Sequence, residues 1–411
     1  MGTNAFFPAA FFHFWSPTPE PLAVQPGATL TAEPLLSWSV QLPGPPSDSA
    51  VLSEPAAPVV DATHIYVGHA GTHALLVLDR RDGRVLTELP ARGSVASAAV
   101  VTEDRVYFSD DAGYTWCYTR AEIDAPTQPH IAAWSHFSGA PIVSSPSLAE
   151  GTLYLANVDE QVYALDAGSG ELRWRYAHRL DAARGASLEL FGAPSPVVAG
   201  DRIFAGFSDG FLATLSRADG TLVGSAGVGE GTYPDLIAPP RPVGASVVVG
   251  GFTGPLVSLD PETRAVRWRI EAGSASPLVL DGDTVWQGGA DGTLRKIDAR
   301  TGEVMWSWEC PVGGTLTEPV PTAMGVMVGS TQGSVYLVDS TSGVLRWSFQ
   351  PGILLTGVTA RPAVDGDTMY VLSNAAILYA FRGRAPVVPT DNPDSAVPGS
   401  PRWRTSSPAR H

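Results

Sequence analysis

The chain has 411 residues, including 43 glycines and 36 prolines, and only 16% of it is charged. So much Gly and Pro excludes a helical bundle or a coiled coil, while 44% hydrophobic residues exclude wholesale disorder. The net charge of −15, with no cluster of Lys and Arg, argues against nucleic acid or an anionic lipid surface as partner. The composition therefore indicates many short strands joined by turns.

The N-terminus is apolar but does not resemble an export signal. Residues 5–15 read AFFPAAFFHFW, which contains Pro8 and His13 and is not preceded by a basic segment. The region has no cysteine to carry a lipid, and no apolar run in the chain approaches the roughly 18 residues that span a bilayer. We expect either that the protein is not exported or that the sequence begins downstream of its export signal.

A repeated frame organises most of the chain. Residues 162–174 read VYALDAGSGELRW, and three later segments share the pattern of an Asp followed eight positions later by a Trp, usually with a Gly midway. The frame residues are Asp166, Gly170 and Trp174; Asp260 and Trp268; Asp298, Gly302 and Trp306; and Asp339, Gly343 and Trp347. Arg264 replaces the second Gly. Degenerate copies near residues 75, 116, 211 and 377 bring the total to eight, about 40 residues apart.

That period predicts one four-stranded propeller blade per copy. Within residues 275–309, we predict strands at Ser276–Leu280, Thr284–Gly289, Thr293–Ile297 and Glu303–Trp308. In each frame the Asp should accept backbone amides in the last turn, the Gly should adopt the left-handed conformation, and the Trp should pack between neighbouring sheets. The frame residues are thus predicted to be structural and not catalytic.

The two ends of the repeat region predict how the ring closes. The eighth copy lacks its last strand, while Leu35–Leu42, with Trp38 at the Trp position, is a spare strand at the other end. Pairing it into the last blade would remove an open edge. The sequence therefore predicts an all-β, eight-bladed β-propeller over residues 35–383. We expect residues 1–34 to be an N-terminal extension and residues 384–411, rich in Pro, Ser and Arg, to be a disordered tail.

The frame formed by Ala164, Asp166, Gly170 and Trp174 resembles the pyrroloquinoline-quinone-type repeat. That superfamily includes the quinoprotein dehydrogenases and the noncatalytic BamB family of the outer-membrane β-barrel assembly machinery. The dehydrogenases hold their quinone beside adjacent disulfide-bonded cysteines and a calcium ion. Here the two cysteines, Cys117 and Cys310, are far apart, and no matching acidic group is found. The resemblance therefore favours a BamB-like scaffold at the periplasmic side of the outer membrane, with no catalytic residue, metal or cofactor.

One segment outside the frame resembles the partner-binding loop of that family. In residues 187–196 (SLELFGAPSP), Leu188, Leu190 and Gly192 match the family's loop, and Phe191 stands where the family usually has Arg. The resemblance implies that this loop contacts a barrel subunit like BamA, with Asp235 in the next inter-blade connection as an acidic contact. Alternating leucines are equally typical of the buried face of a strand.

Two other functions and one structural question stay open at this point. A divergent quinone-dependent dehydrogenase would use the central funnel of the propeller, and a ligand-sensing or general interaction propeller would have no role in barrel assembly. Cys117 and Cys310 are expected to be small buried hydrophobic residues, although one long-range disulfide between them is the alternative.

Overall fold

The computed structural model describes residues 30, 32–44, 55–125, 129–179, 194–230, 233–274, 276–351 and 357–383. Within these ranges the chain forms eight four-stranded antiparallel sheets, which are the blades of a β-propeller. The predicted fold and number of blades are confirmed. In the same ranges no helix is long and apolar enough to cross a membrane.

The first four blades follow one another along the chain, each with its innermost strand first. Their strands are β2 (Val59–Val60), β3 (His64–His69), β4 (Ala74–Asp79) and β5 (Val85–Pro90); β6 (Val100–Val101), β7 (Arg105–Ser109), β8 (Tyr114–Thr119) and β9 (Trp134–Phe137); β10 (Ser147–Ala149), β11 (Thr152–Asn157), β12 (Gln161–Asp166) and β13 (Leu172–Ala177); and β14 (Val197–Ala199), β15 (Arg202–Gly206), β16 (Phe211–Ser216) and β17 (Leu222–Gly227).

The last four blades repeat this order, except that the eighth borrows its outer strand. Their strands are β18 (Arg241–Val243), β19 (Ser246–Gly250), β20 (Leu256–Leu259) and β21 (Val266–Ile270); β22 (Val279–Asp281), β23 (Thr284–Gly288), β24 (Thr293–Asp298) and β25 (Val304–Glu309); β26 (Val320–Thr322), β27 (Gly325–Gly329), β28 (Val335–Val338) and β29 (Leu345–Phe349); and β30 (Ala363–Asp365), β31 (Thr368–Leu372), β32 (Ile377–Gly383) and β1 (Pro34–Gln41).

The sixth blade matches the strands predicted from its sequence in all but one respect. The second, third and fourth strands begin and end within one residue of the prediction, but the innermost strand begins at Val279 and not at Ser276. Pro277 lies within the predicted strand, and its nitrogen has no hydrogen to donate to a neighbouring strand. The regular pairing therefore starts after it.

The ring closes as predicted. Strand β1 pairs antiparallel with β32, from Pro34 opposite Gly383 to Gln41 opposite Ile377, one residue before the predicted Leu35–Leu42. Leu30, within the predicted N-terminal extension, is fully buried in the hydrophobic core between the seventh and eighth blades. The chain thus packs against the propeller before its first strand begins.

The repeated Trp of one blade docks onto the repeated Gly of the next. The indole of Trp174 covers Gly220, where a Cβ would lie 2.4 Å from the ring, and its Nε1 donates to the carbonyl of Arg217 at 3.0 Å. Gly220 has a φ of +71°. The same docking joins further Trp and Gly pairs: Trp134 and Gly170, Trp268 and Gly302, Trp306 and Gly343, and Trp38 and Gly83. The Trp and the Gly are therefore one inter-blade contact.

Two of the breaks in the frame occur together at one junction. The fourth blade has Gly224 in place of its Trp, and the fifth blade has Arg264 in place of its Gly. Arg264 keeps the left-handed backbone, with a φ of +64°. No indole covers this turn, since Gly224 lies beside the neighbouring Pro261 carbonyl, so a side chain is tolerated there.

The frame Asp fixes the turn that carries the Gly. Oδ1 of Asp166 accepts the amides of Gly168 and Ser169, each at 2.9 Å, and Oδ2 accepts Arg173 at 2.7 Å. Asp260, Asp298 and Asp339 accept turn amides in the same way. The hydrogen bonds from Arg173 and the turn lower the pKa of Asp166 to about 2. The predicted roles of Asp and Gly are confirmed.

The hydrophobic core lies between neighbouring blades. One cluster joins Tyr154, Val162 and Trp174 of the third blade to Ile203 and Leu215 of the fourth. Because both faces of the middle strands are buried, few positions there can hold a charge, which accounts for the low charged fraction. Cys117 and Cys310 are both buried and free, so the alternative of a disulfide is wrong.

Candidate partner-binding face

The blades give the propeller two different faces. We call one the turn face; it carries the turns between the first and second strands, such as residues 150–151, and the repeated Asp-to-Gly turns, such as residues 166–170. We call the other the loop face; it carries the turns between the second and third strands, such as residues 158–160 and 207–210, and the far ends of the outer strands, such as Ala177.

The described residues on either side of the predicted partner segment lie at the loop face. Leu188, Leu190, Phe191 and Gly192 lie outside the described residues. The described residue His178 follows β13, and its amide donates to the carbonyl of Glu160 at 2.9 Å.

The chain resumes at residues 194–196, which are buried, and is fixed again at once. There the Ser195 hydroxyl donates to the carbonyl of Ser145 at 2.8 Å, and the Ser147 hydroxyl donates to the carbonyl of Pro196 at 2.7 Å. Both ends of the segment are therefore fixed to the third blade.

Asp235 occupies a different environment from the one its predicted role requires. Its side chain is fully buried, and its backbone carbonyl accepts the amide of Phe252 at 3.0 Å. The neighbouring Leu236 is also fully buried, and its amide donates to the carbonyl of Phe207 at 3.2 Å. This connection packs between the fourth and fifth blades, so the Asp235 carboxylate is not accessible to a partner in this structure.

The junction of the third and fourth blades on the loop face contains two carboxylates and a histidine. Nε2 of His178 lies 2.9 Å from Oδ2 of Asp209, which is 3% exposed, and the His178 ring stacks on Phe207 at 4.1 Å. Glu160 extends towards the same turn, where its Oε1 accepts the amide of Ser208 at 3.3 Å. Burial raises the pKa of Glu160 to about 7.

An aromatic patch that the sequence analysis did not single out lies on the second blade. It consists of Tyr114, Trp116 and Phe137, with ring centroids 5.5 Å apart for Tyr114 and Trp116 and 4.8 Å apart for Tyr114 and Phe137. Phe137, the last residue of β9, is 55% exposed on the loop face. The density of aromatic residues in YTWCYT and WSHF is the signal that could have identified it.

The turn face opens into a cavity of about 1170 Å³ at the centre of the ring. Valines of the innermost strands, such as Val60, Val101 and Val198, form much of its wall. Four arginines also line it, and each is bonded to a carboxylate of the preceding blade: Arg80 to Asp365, Arg120 to Asp61, Arg217 to Glu150, and Arg361 to Glu318. These cross-blade ion pairs connect neighbouring blades beside the cavity.

Asp61, one of the carboxylates in these ion pairs, is held in its charged form. Burial alone would raise the pKa of Asp61, but amide hydrogen bonds from Thr63 and His64 and the bond from Arg120 outweigh it, so the pKa is lowered. The carboxylate therefore stays ionised and paired. This arrangement holds blades together and presents no acid in the protonated form.

The described residues do not fit the quinone and calcium of a dehydrogenase. Within the described ranges, no three His, Cys, Asp or Glu side chains are grouped so that they could hold a metal ion. Cys117 lies in the second blade and Cys310 follows the sixth, so they cannot form the ring of adjacent cysteines. The cavity arginines are already bonded to carboxylates. We derive no chemical step from this cavity.

The fold and the repeated docking contacts define the chain as an eight-bladed propeller of pyrroloquinoline-quinone-type repeats. The family model described as "Outer membrane protein assembly factor BamB" matches residues 131–307 and 234–401. Together these matches span more than half of the chain, and the chain belongs to this family.

Relatives and solved structures are similar to the chain at low identity. The assembly factor BamB of Yersinia pestis is 22% identical over 256 residues, which are 61% of this chain and 63% of that protein. The crystal structure of BamB from Moraxella catarrhalis has a TM-score of 0.68 at 16% identity and covers 85% of this chain and 100% of that one. Quinohemoprotein alcohol dehydrogenase from Comamonas testosteroni has a TM-score of 0.65 at 14% identity, covering 88% and 78%. At these identities the two solved structures show the fold alone.

Proposed function

We propose that this protein is a noncatalytic scaffold that binds a protein partner during outer-membrane β-barrel assembly, on the periplasmic side of that membrane. The observation that carries the proposal is the match of the assembly-factor family model across residues 131–401. Because the relatives have low sequence identity to this chain, the identity of the partner, a BamA-like barrel subunit, is also proposed.

The structure supports a scaffold because its distinctive residues are used to build the ring. Each frame Asp, Gly and Trp has a structural partner, and the cavity arginines pair across blades. A rigid framework that positions variable loops is a common arrangement for binding. Within the described residues, no group of His, Cys, Asp and Glu side chains could hold a metal ion.

The proposed contact is the segment that contains Leu188, Leu190, Phe191 and Gly192, whose described flanking residues lie on the loop face. Its flanking residues His178 and Ser195 are hydrogen-bonded to the third blade, so the two ends are held in place. A segment held at both ends loses less conformational entropy when it binds than a free one. Exposed Phe137 extends the proposed contact on the same face, because large aromatic side chains dominate many interfaces.

Affinity capture from a Gram-negative envelope extract tests this site. The Leu188→Ala/Leu190→Ala variant should recover at least tenfold less of the barrel-assembly subunits than the unmodified protein. Leu172→Ala/Leu222→Ala is the matched control, because both leucines are 49% exposed at the start of outer strands, near the turn face. This control should recover the normal amount. Undiminished recovery with the Leu188 and Leu190 variant would eliminate the site, and no recovery with the unmodified protein would contradict the function itself.

A further inference from the structure

The junction between the third and fourth blades brings the carboxylates of Glu160 and Asp209 close to the ring of His178. Glu160 lies in the turn between β11 and β12 with a φ of +59°, a conformation that only a few per cent of non-glycine residues adopt. Its Oε1 accepts the Ser208 amide, while its Oε2 is buried and accepts no hydrogen bond. A buried carboxylate oxygen without a partner is costly when the group is ionised.

The charged and titratable groups around Glu160 come from both blades. From the third blade, His178 follows β13; from the fourth, Asp209 lies in the turn between β15 and β16, and each interacts electrostatically with Glu160. Tyr176 of β13 faces Asp209, and burial with the charge of Asp209 raises the pKa of this tyrosine. Asp159, beside Glu160 in the same turn, is exposed. Of the described groups that act on Glu160, His178 is basic, and its Nε2 lies 2.9 Å from Oδ2 of Asp209.

We propose that Glu160, His178 and Asp209 form a proton-operated latch between the third and fourth blades, closed when Glu160 is protonated. With the proton bound, Glu160 carries no charge into the buried junction and faces Asp209 without repulsion. When the proton leaves, the carboxylate requires water that the closed junction excludes, and like charges face each other. The contact between the Glu160 turn and Ser208 then opens more often.

The direction of the pH dependence follows from the proton affinity of Glu160. Burial, opposed by the interaction with Ser208, raises the pKa of Glu160 from 4.5 to about 7. The folded protein therefore holds this proton more tightly than the unfolded chain. The stabilisation by the protonated group is complete below about pH 4.5 and is lost as the pH rises through about 7. Between pH 5.5 and 8.5 this loss corresponds to a roughly 10- to 30-fold rise in the equilibrium constant for opening the contact between the Glu160 turn and Ser208.

Hydrogen exchange of the full chain, followed by mass spectrometry from pH 5.5 to 8.5, tests the latch. After correction for intrinsic exchange rates, peptides covering residues 172–179 and 203–212 should lose protection by that factor as pH rises. Glu160→Gln should abolish the pH dependence, and Asp159→Asn, an exposed carboxylate of the same turn, should retain it. Asp209→Asn should move the midpoint to lower pH, because the Asp209 charge raises the pKa of Glu160. Identical pH profiles for the unmodified protein and Glu160→Gln would overturn the proposal.

A second measurement needs no variant. Carbon NMR of protein labelled at its glutamate carboxyls should show one side chain that titrates near pH 7, in contrast to the exposed glutamates. If every glutamate titrates near pH 4.5, the proposal is wrong. Any effect of the latch on partner binding rests on the proposed function; exchange and NMR test the latch without a partner, so the two can fail separately.

Discussion

Replacing Gly170 by Ala tests whether the docking of Trp onto Gly holds the blades together. Gly170 has a φ of +75°, and an added Cβ would lie 2.6 Å from the ring of Trp134. The left-handed backbone costs Ala about 1–2 kcal/mol, and the overpacking against the indole adds about 1–3 kcal/mol. We expect a total loss of about 2–5 kcal/mol in the free energy of unfolding.

The third blade also supplies the control. Gly151 has a φ of +70°, but a Cβ added there would meet nothing within 4 Å. Gly151→Ala should therefore lose only the backbone contribution of about 1–2 kcal/mol. Urea unfolding followed by circular dichroism measures both variants, with the midpoint compared at equal slope.

A double-mutant cycle isolates the indole contribution. In a Trp134→Ala background, Gly170→Ala should cost no more than Gly151→Ala does in the unmodified protein, because the clash has been removed. If Gly170→Ala and Gly151→Ala cost the same in the unmodified protein, the docking contact does not contribute as described. An undiminished cost of Gly170→Ala without the indole would refute the reasoning as well.

Three further predictions follow from the described contacts. Titration with pyrroloquinoline quinone and Ca²⁺, followed by absorbance and dye reduction, should show neither saturable binding nor turnover with alcohols; either result would contradict the proposed noncatalytic function. Hydrogen bonds from Arg173 and the turn amides lower the pKa of Asp166 to about 2. The ionised Asp166 therefore stabilises the folded protein above the unfolded pKa near 3.8, and this contribution is lost as the pH falls through about 2. Asp166→Asn should flatten that acid limb in thermal unfolding, and an unchanged limb would show that this turn does not contribute. Since Cys117 and Cys310 are buried, a thiol reagent at pH 7.5 should react slowly with the native protein and with two thiols per chain in denaturant; fast reaction before unfolding would contradict the burial.

The sequence predicted the ring well because its period is a local property. Asp, Gly and Trp recur at fixed spacing, and the spare strand with Trp38 had only one open edge to pair with. Which Gly each Trp covers depends on the angle between blades, and that angle is not a local property. Gly224 stands in place of a frame Trp, and Arg264 stands in place of a frame Gly. The reason that the two occur together is visible only when the neighbouring blades are in contact.

The candidate site was less predictable from the sequence because burial depends on how distant loops fold over one another. Asp235 has the features of a surface acid in the sequence, yet its side chain is fully buried and its carbonyl accepts the amide of Phe252. Glu160, His178 and Asp209 come from three separate turns or strand ends, and no linear motif joins them. The partner segment was identified through its resemblance to the family's loop and not from the physical chemistry of its residues.

Site-specific photo-cross-linking in a Gram-negative envelope tests the central claim most directly. A benzophenone side chain placed at position 190 should form an adduct with a subunit of the barrel-assembly machinery. The same side chain at position 222, which is 49% exposed near the turn face, should not. An adduct from position 190 alone is the result that the scaffold account predicts. No adduct from position 190, or equal adducts from both positions, would contradict it.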